Sequence, residues 1–320
     1  MNIRNISTTI CLLAAATVAS AQGYPTKSVR IIVPYAPGGA VDAVTRKIAQ
    51  KLTEQTGQTF FVENKAGATG TIGAGEAARS APDGYTLLAN DTTYSLLPHI
   101  FKKLPFDPAV DLVPVSAFVF APMAVVVRTE SKYKTLSALL ADAKSEPGKV
   151  TYGTGGAGTT PHFSSEALGI ASGVRFLHVP YKGASEATMA VLGGQIDFQI
   201  ASTPGVVGQV KGGKARLLAI SGDKRASVLP DVPTFAEAGV KGYGVINFTG
   251  LWAPKGTPPA VLAKLEAEIA KAVAAPDIKA YAEGIAADPR SIGSTAFAKL
   301  LAESTANWGK VASDTQFDKQ

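Results

Sequence analysis

One pattern constrains this chain more than any other: a short strand runs into glycines and restarts as a helix, and it does so twice. Val29-Arg30-Ile31-Ile32-Val33 is a β-branched run that ends at Pro34-Tyr35-Ala36-Pro37-Gly38-Gly39. Directly after it, Val41, Val44, Ile48 and Leu52 fall on one helical face, and the period stops near Gly57. In the second copy, Val150-Thr151-Tyr152 reads as a strand and Gly153 to Thr160 as a glycine-rich loop. Pro161 to Ala171 then reads as a helix with proline in its first turn, where a missing N–H costs nothing. Strands alternating with helices in this way predict an α/β fold with a parallel sheet covered on both faces.

Neighbouring segments extend each copy. Phe60 to Glu63 and Tyr85 to Ala89 read as strands, with a glycine-rich entry from Gly67 to Gly75 into a helix around Glu76-Ala77-Ala78. Around the second copy, Arg175 to Val179 and Ile196 to Ile200 flank a helix over Glu186 to Leu192, and Ala215 to Ile220 is a further strand. A chain of 320 residues has room for two such units with separate cores. Two long apolar stretches, Pro114 to Val127 and Tyr243 to Trp252, are placed to carry the chain into a second lobe and back. A helix from Pro259 to about Ala274 and another around Phe297 to Trp308 are expected to pack on the first lobe. The expectation is two Rossmann-like lobes joined by a two-strand hinge: residues 22–123 with 251–320, and residues 124–250.

The first 21 residues read as a secretory signal. Arg4 precedes the apolar run Ile10 to Val18, and Ala19-Ser20-Ala21 offers a cleavage site before Gln22. The run is shorter than the roughly 20 residues that span a bilayer. Its removal would also remove Cys11, the only cysteine, which excludes disulfides, thiol catalysis and cysteine–zinc sites from the mature chain. The net charge of +6 is spread without a basic run, so nucleic acid is a poor partner and a mild bias towards anionic solutes remains.

The glycine loops are the candidate site. Where a strand hands over to a helix, backbone N–H groups lie free at the positive end of the helix dipole, a ready seat for an anion. The first loop supplies Tyr35, Gly38, Gly39, Ala40 and Asp42, although Asp42 could equally cap its own helix. The second supplies Thr154, Gly155, Ala157, Gly158, Thr159, Thr160 and His162. Its Gly153-x-Gly155-x-x-Gly158 spacing matches a dinucleotide fingerprint, but no carboxylate ends the next strand, Leu177-His178-Val179-Pro180. Asn90, Thr92 and Thr93 follow the third strand, at the carboxyl edge where α/β sheets present ligands, and Ser202 follows the strand at Ile196 to Ile200. Tyr35, Tyr94, Phe163 and Phe248 either line the cleft or simply pack. His99, His162 and His178 have no metal-binding spacing, and no serine-hydrolase elbow occurs, so no cofactor or metal is expected.

Several longer motifs resemble the Bug family, the periplasmic receptors of tripartite tricarboxylate transporters. They are Val33-Pro34-Tyr35-Ala36-Pro37-Gly38-Gly39-Ala40-Val41-Asp42, Glu63-Asn64-Lys65-Ala66-Gly67-Ala68 and Ala81-Pro82-Asp83-Gly84-Tyr85-Thr86-Leu87-Leu88. His178-Val179-Pro180-Tyr181-Lys182-Gly183-Ala184, Leu192-Gly193-Gly194-Gln195-Ile196-Asp197 and Leu229-Pro230-Asp231-Val232-Pro233-Thr234 carry the likeness to nearly the whole chain. The resemblance implies a periplasmic binding protein of the Venus-flytrap type whose two glycine loops pin one carboxylate of a small ligand. It also implies a monomer that delivers this ligand to integral membrane transporter subunits. Two other readings stay open: a periplasmic enzyme using His162 with a threonine, and a sensory adaptor that presents bound ligand.

Overall fold

The computed structural model describes residues 23–320, so the secretory signal expected over the first 21 residues lies outside the described residues. The first strand, β1 (Val29–Val33), lies between β2 (Phe60–Asn64) and β3 (Thr86–Asp91), and both neighbours run parallel to it. Helix α1 (Ala40–Thr56) covers this sheet because Val41, Val44, Ile48, Ala49 and Leu52 form one buried stripe. Each large side chain in such a stripe contributes about 1.5–3 kcal/mol by leaving water. Gly57 ends the helix in the left-handed conformation, φ +71°, and returns its N–H to the Thr53 carbonyl. Helix α2 (Thr71–Ala78) starts earlier than its glycines suggested, because a 3-10 turn over Ala68–Gly70 leads straight into it.

From β3 the chain passes through a 3-10 turn (Thr92–Leu96) and the short α3 (Leu97–Ile100) into β4 (Leu112–Arg128). This 17-residue strand carries the architecture. From Leu112 to Pro122 it pairs antiparallel with β9 (Ile246–Pro254), which in turn pairs with β3. From Met123 onwards it pairs instead with β7 (Gln199–Ser202) on one side and β8 (Ala215–Ile220) on the other. Pro122 stands at the change of partners, and a residue with no N–H to give a ladder belongs where a ladder ends. The two apolar stretches read as crossings are therefore β4 and β9, antiparallel to each other.

The second lobe collects α4 (Leu136–Ser145), β5 (Thr151–Thr154), α5 (Thr160–Ser172), β6 (Leu177–Pro180), α6 (Ala184–Leu192) and α7 (Thr203–Lys211) around β7 and β8. Strands β5 and β6 are parallel, and β5 reaches β7 through the parallel bridge Tyr152–Phe198. The strand expected over Ile196 to Ile200 starts later, at Gln199, and its end, Ser202, is also the N-cap of α7.

After β9 the chain returns to the first lobe. Helix α8 (Pro259–Ala274) buries Val261, Leu265 and Ile269 in the same core as α1, followed by α9 (Pro276–Gly284) and the two-residue β10 (Ile292–Gly293) on β4. The C-terminal helix α10 (Ser294–Asp314) packs Phe297 and Trp308 against Phe248 and Trp252, as expected. It also reaches across the lobes: Phe163 of α5 has its ring centroid 6.1 Å from Trp308 and 5.1 Å from Phe317. Among the described residues no helix is long and apolar enough to cross a membrane.

Candidate functional site

Between the lobes lies a cavity of about 540 Å³. Four helices start on its wall: α1 at Gly39, α5 at Thr159, α6 at Gly183 and α7 at Ser202. None of these four residues makes a side-chain capping bond to its own helix. Each helix end carries about half a positive charge, and uncapped N–H groups are the donors an anion needs. Their convergence follows from the strand–glycine–helix grammar, since in α/β sheets the helices begin at the carboxyl edges of the strands.

The first loop is braced from behind. Asp42 lines the cavity, yet its carboxylate is occupied: it accepts from Gly38 N–H at 3.0 Å, Arg46 Nε at 3.0 Å and Asn64 Nδ2 at 2.9 Å. Burial acts to raise the Asp42 carboxyl, but these donors outweigh it and hold the group below the usual aspartate value. Asp42 thus ties down its own loop and leaves Gly39 and Ala40 to face the cavity. Gly38 needs its glycine, because its φ of +81° is left-handed. In the second loop Gly155 is needed for space: a Cβ there would stand 2.6 Å from the Ala184 backbone nitrogen.

The lobes touch around the rim. Thr69 Oγ1 donates to the Ala157 carbonyl at 2.9 Å, and the Ser185 hydroxyl reaches the Pro37 carbonyl at 3.4 Å. The Thr93 and Thr160 hydroxyls lie 2.9 Å apart, and Thr160 N–H donates to Thr93 Oγ1 at 3.1 Å. With contacts on several sides, the arrangement is that of a closed clamp.

Of the residues expected at the site, Tyr35, Gly38, Gly39, Ala40, Asp42, Thr93, Gly155, Thr159 and Ser202 line the cavity. The others stand behind it. Asn90 Oδ1 accepts the Tyr35 hydroxyl at 2.6 Å, and Thr92 Oγ1 accepts Phe248 N–H at 3.1 Å. Thr154 Oγ1 pairs with His178 Nε2 at 2.7 Å. Ala157 and Thr160 serve the rim contacts, and Gly158 N–H donates to His162 Nδ1 at 3.0 Å. The His162 ring lies 4.1 Å from that of His178, stacked at 16°. Burial, then the neighbouring His178, lowers the His162 pKa to about 3, and burial lowers that of His178 to about 4. Burial thus favours the neutral form of both imidazoles, which brace the loop through Gly158 and Thr154 from behind the cavity wall. Tyr94, Phe163 and Phe248 are also core residues, whereas Tyr35 lines the cavity.

Sequence reasoning named Ser202 as a strand end without seeing the helix that starts there, left Asp91 inside its candidate segment without singling it out, and missed Gly183-Ala184-Ser185, Gly205, Met123, Gln199 and Asn247 on the wall. Lys182-Gly183-Ala184-Ser185-Glu186 carried a signal: a glycine after a strand, then a helix whose Glu186 takes the Lys182 N–H at 3.1 Å. Among the described residues no group of three metal-ligating side chains comes together.

Two α/β lobes on a two-strand crossing, closing on one cavity, define a periplasmic solute-binding protein. The chain belongs to the Bug-type receptor family of tripartite tricarboxylate transporters: the family model described as "Tripartite tricarboxylate transporter family receptor" matches residues 44–316. The protein BugT of Bordetella pertussis is 34% identical, over 87% of this chain and 85% of its own. The solved periplasmic binding protein BugD is 32% identical with a TM-score of 0.87, covering 93% of this chain and all of the other. MatC from Rhodopseudomonas palustris, solved with bound malate, is 30% identical with a TM-score of 0.85, over 90% of this chain and all of the other.

Proposed function

We propose that this protein closes on one small carboxylate and hands it unchanged to integral membrane subunits of a transporter. The observation that carries the reading is the convergence on one interlobe cavity of four helix N-termini whose own N-cap side chains leave their amides free, the Thr160 N–H alone being taken by Thr93. Gly39, Ala40, Gly155, Thr159 and Ser202 are the anchoring residues, with backbone N–H groups and hydroxyls in place of an arginine. The moving bodies are residues 22–123 with 251–320 and residues 124–250, and the change of partners on β4 supports this division. The protein is exported, cleaved after Ala21 and works as a monomer. Malate in MatC is a precedent for the ligand class.

A thermal-shift panel of mono-, di- and tricarboxylates, aromatic ones included, tests the anchor. A ligand at about 100 times its Kd stabilises the closed protein by about 2.7 kcal/mol, enough to raise the melt by several degrees. If no carboxylate moves the melt, the anchor is wrong. Turnover separates the receptor from an enzyme working through His162, which stands outside the cavity lining. Recovery of unchanged ligand from the complex supports the receptor, and product formation overturns it.

A further inference from the structure

The cavity walls carry acceptors as well as donors. Asp91 closes β3, is 9% exposed and lines the cavity. Its Oδ1 accepts from Thr93 N–H at 2.9 Å and from the Tyr35 hydroxyl at 3.1 Å, whose shorter bond is to Asn90 Oδ1 at 2.6 Å. Its Oδ2 takes Asn247 Nδ2 at a long 3.4 Å, and the Thr93 side chain adds a further hydrogen bond, so the carboxylate has neutral donors but no cation. Among the described residues no lysine, arginine or histidine lies within ion-pair distance of this carboxylate. Burial holds its pKa above the ordinary aspartate value, the mark of an acid lacking a counter-charge.

On the other lobe Gln199 also lines the cavity, at 2% exposure, and its Oε1 has no hydrogen-bond partner. Gln199 Nε2 donates to the Thr188 hydroxyl at 3.2 Å, that hydroxyl also lying 3.0 Å from the Ala184 carbonyl, and turning the amide over would exchange an unpaired oxygen for an unpaired NH2. A buried acceptor left unpaired costs about 1–3 kcal/mol, and a buried unpaired carboxylate costs more. Each lobe therefore brings to the same cavity one group short of a partner: a carboxylate without a counter-charge and an amide oxygen without a donor. Among the described residues Lys182 is the only basic residue on the wall and is exposed, so the positive potential of the cavity comes from the helix starts and no side-chain cation balances Asp91.

We infer that the solute carries a protonated amine as well as its carboxylate, with Asp91 as the counter-charge and Gln199 Oε1 as a further acceptor. This rests on the carboxylate reading above, and the two can fail separately. Calorimetric titrations with matched pairs test it: glutamate against glutarate, 4-aminobutyrate against butyrate, phenylalanine against 3-phenylpropanoate, with butylamine as the acid-free control. At least one amino acid is expected to bind tenfold or more tighter than its amine-free partner. In Asp91→Asn that ratio is expected to fall to about one, because the amino acid loses its counter-charge and the amine-free acid, no longer facing a carboxylate, binds as tightly or tighter, with the melt of the empty protein unchanged or raised. If every amine-free acid binds as tightly as its amino partner, or if the ratio survives Asp91→Asn, the inference is overturned and the carboxylate anchor stands. Butylamine binding as tightly as 4-aminobutyrate overturns the anchor and leaves Asp91. Binding by none of these overturns both.

Discussion

Individual residues in the two loops play different parts, although both loops look alike as strings of glycine. Gly155 faces backbone at 2.6 Å, whereas the nearest atom to a Cβ on Gly39 is the Ala36 carbonyl at 3.8 Å. Gly155→Ala must therefore push the start of α6 aside. It is expected to cost about 1–3 kcal/mol in a urea titration and to weaken carboxylate binding more than tenfold. Gly39→Ala, at an N-cap in extended backbone, is expected to cost less than about 1 kcal/mol. His162 gives a pH signature. Its pKa falls from the ordinary 6.5 to about 3 on folding, so the unfolded chain binds a proton first as pH drops. Its contribution is complete above pH 6.5 and is lost as pH falls towards 3. At pH 5 the loss is on the order of 2 kcal/mol, and His162→Asn should remove about half of the fall in melting temperature from pH 7 to 5, His178 carrying the rest.

At the level of elements, the aromatic joint between α5 and α10 goes beyond what each element needs for its own core. Phe163 is 1% exposed and meets Trp308 and Phe317 from the far end of the chain. Phe163→Ala is expected to cost about 3–5 kcal/mol, read by chemical denaturation, with a red shift in Trp308 emission as water enters. This joint was not legible in the sequence: periodicity says which face of a helix is apolar, and not which other helix will cover it. The strands and helices themselves were legible, because Val29–Val33, the stripe Val41 to Leu52 and the glycine stops carry their periods locally. The two crossing strands were legible too, as apolar runs too long for one sheet. The site was half legible. Its backbone half follows from glycines beside helix starts, while Asp91, Gln199 and Asn247 come from three strands that only the tertiary fold brings together.

For the whole molecule, the two crossing strands set what closure can be. Besides the aromatic joint at Phe163, the lobes meet through hydrogen bonds at Thr69, Thr93 and Ser185, each worth only about 0.5–1.5 kcal/mol net. A trapped solute adds to the closed side alone, so ligand should shift the population towards it. Small-angle scattering is expected to show a smaller radius of gyration with a bound carboxylate than without; an unchanged radius would mean that the lobes do not swing. The helix starts around the cavity have one more consequence. Peptide dipoles carry no exchangeable charge: unlike a histidine or lysine receptor, they hold nothing for acid or alkali to remove. The grip on a carboxylate should therefore stay level wherever that carboxylate is itself ionised, and any weakening of capture in a souring medium would trace to Asp91 and the amine it faces rather than to the helix starts.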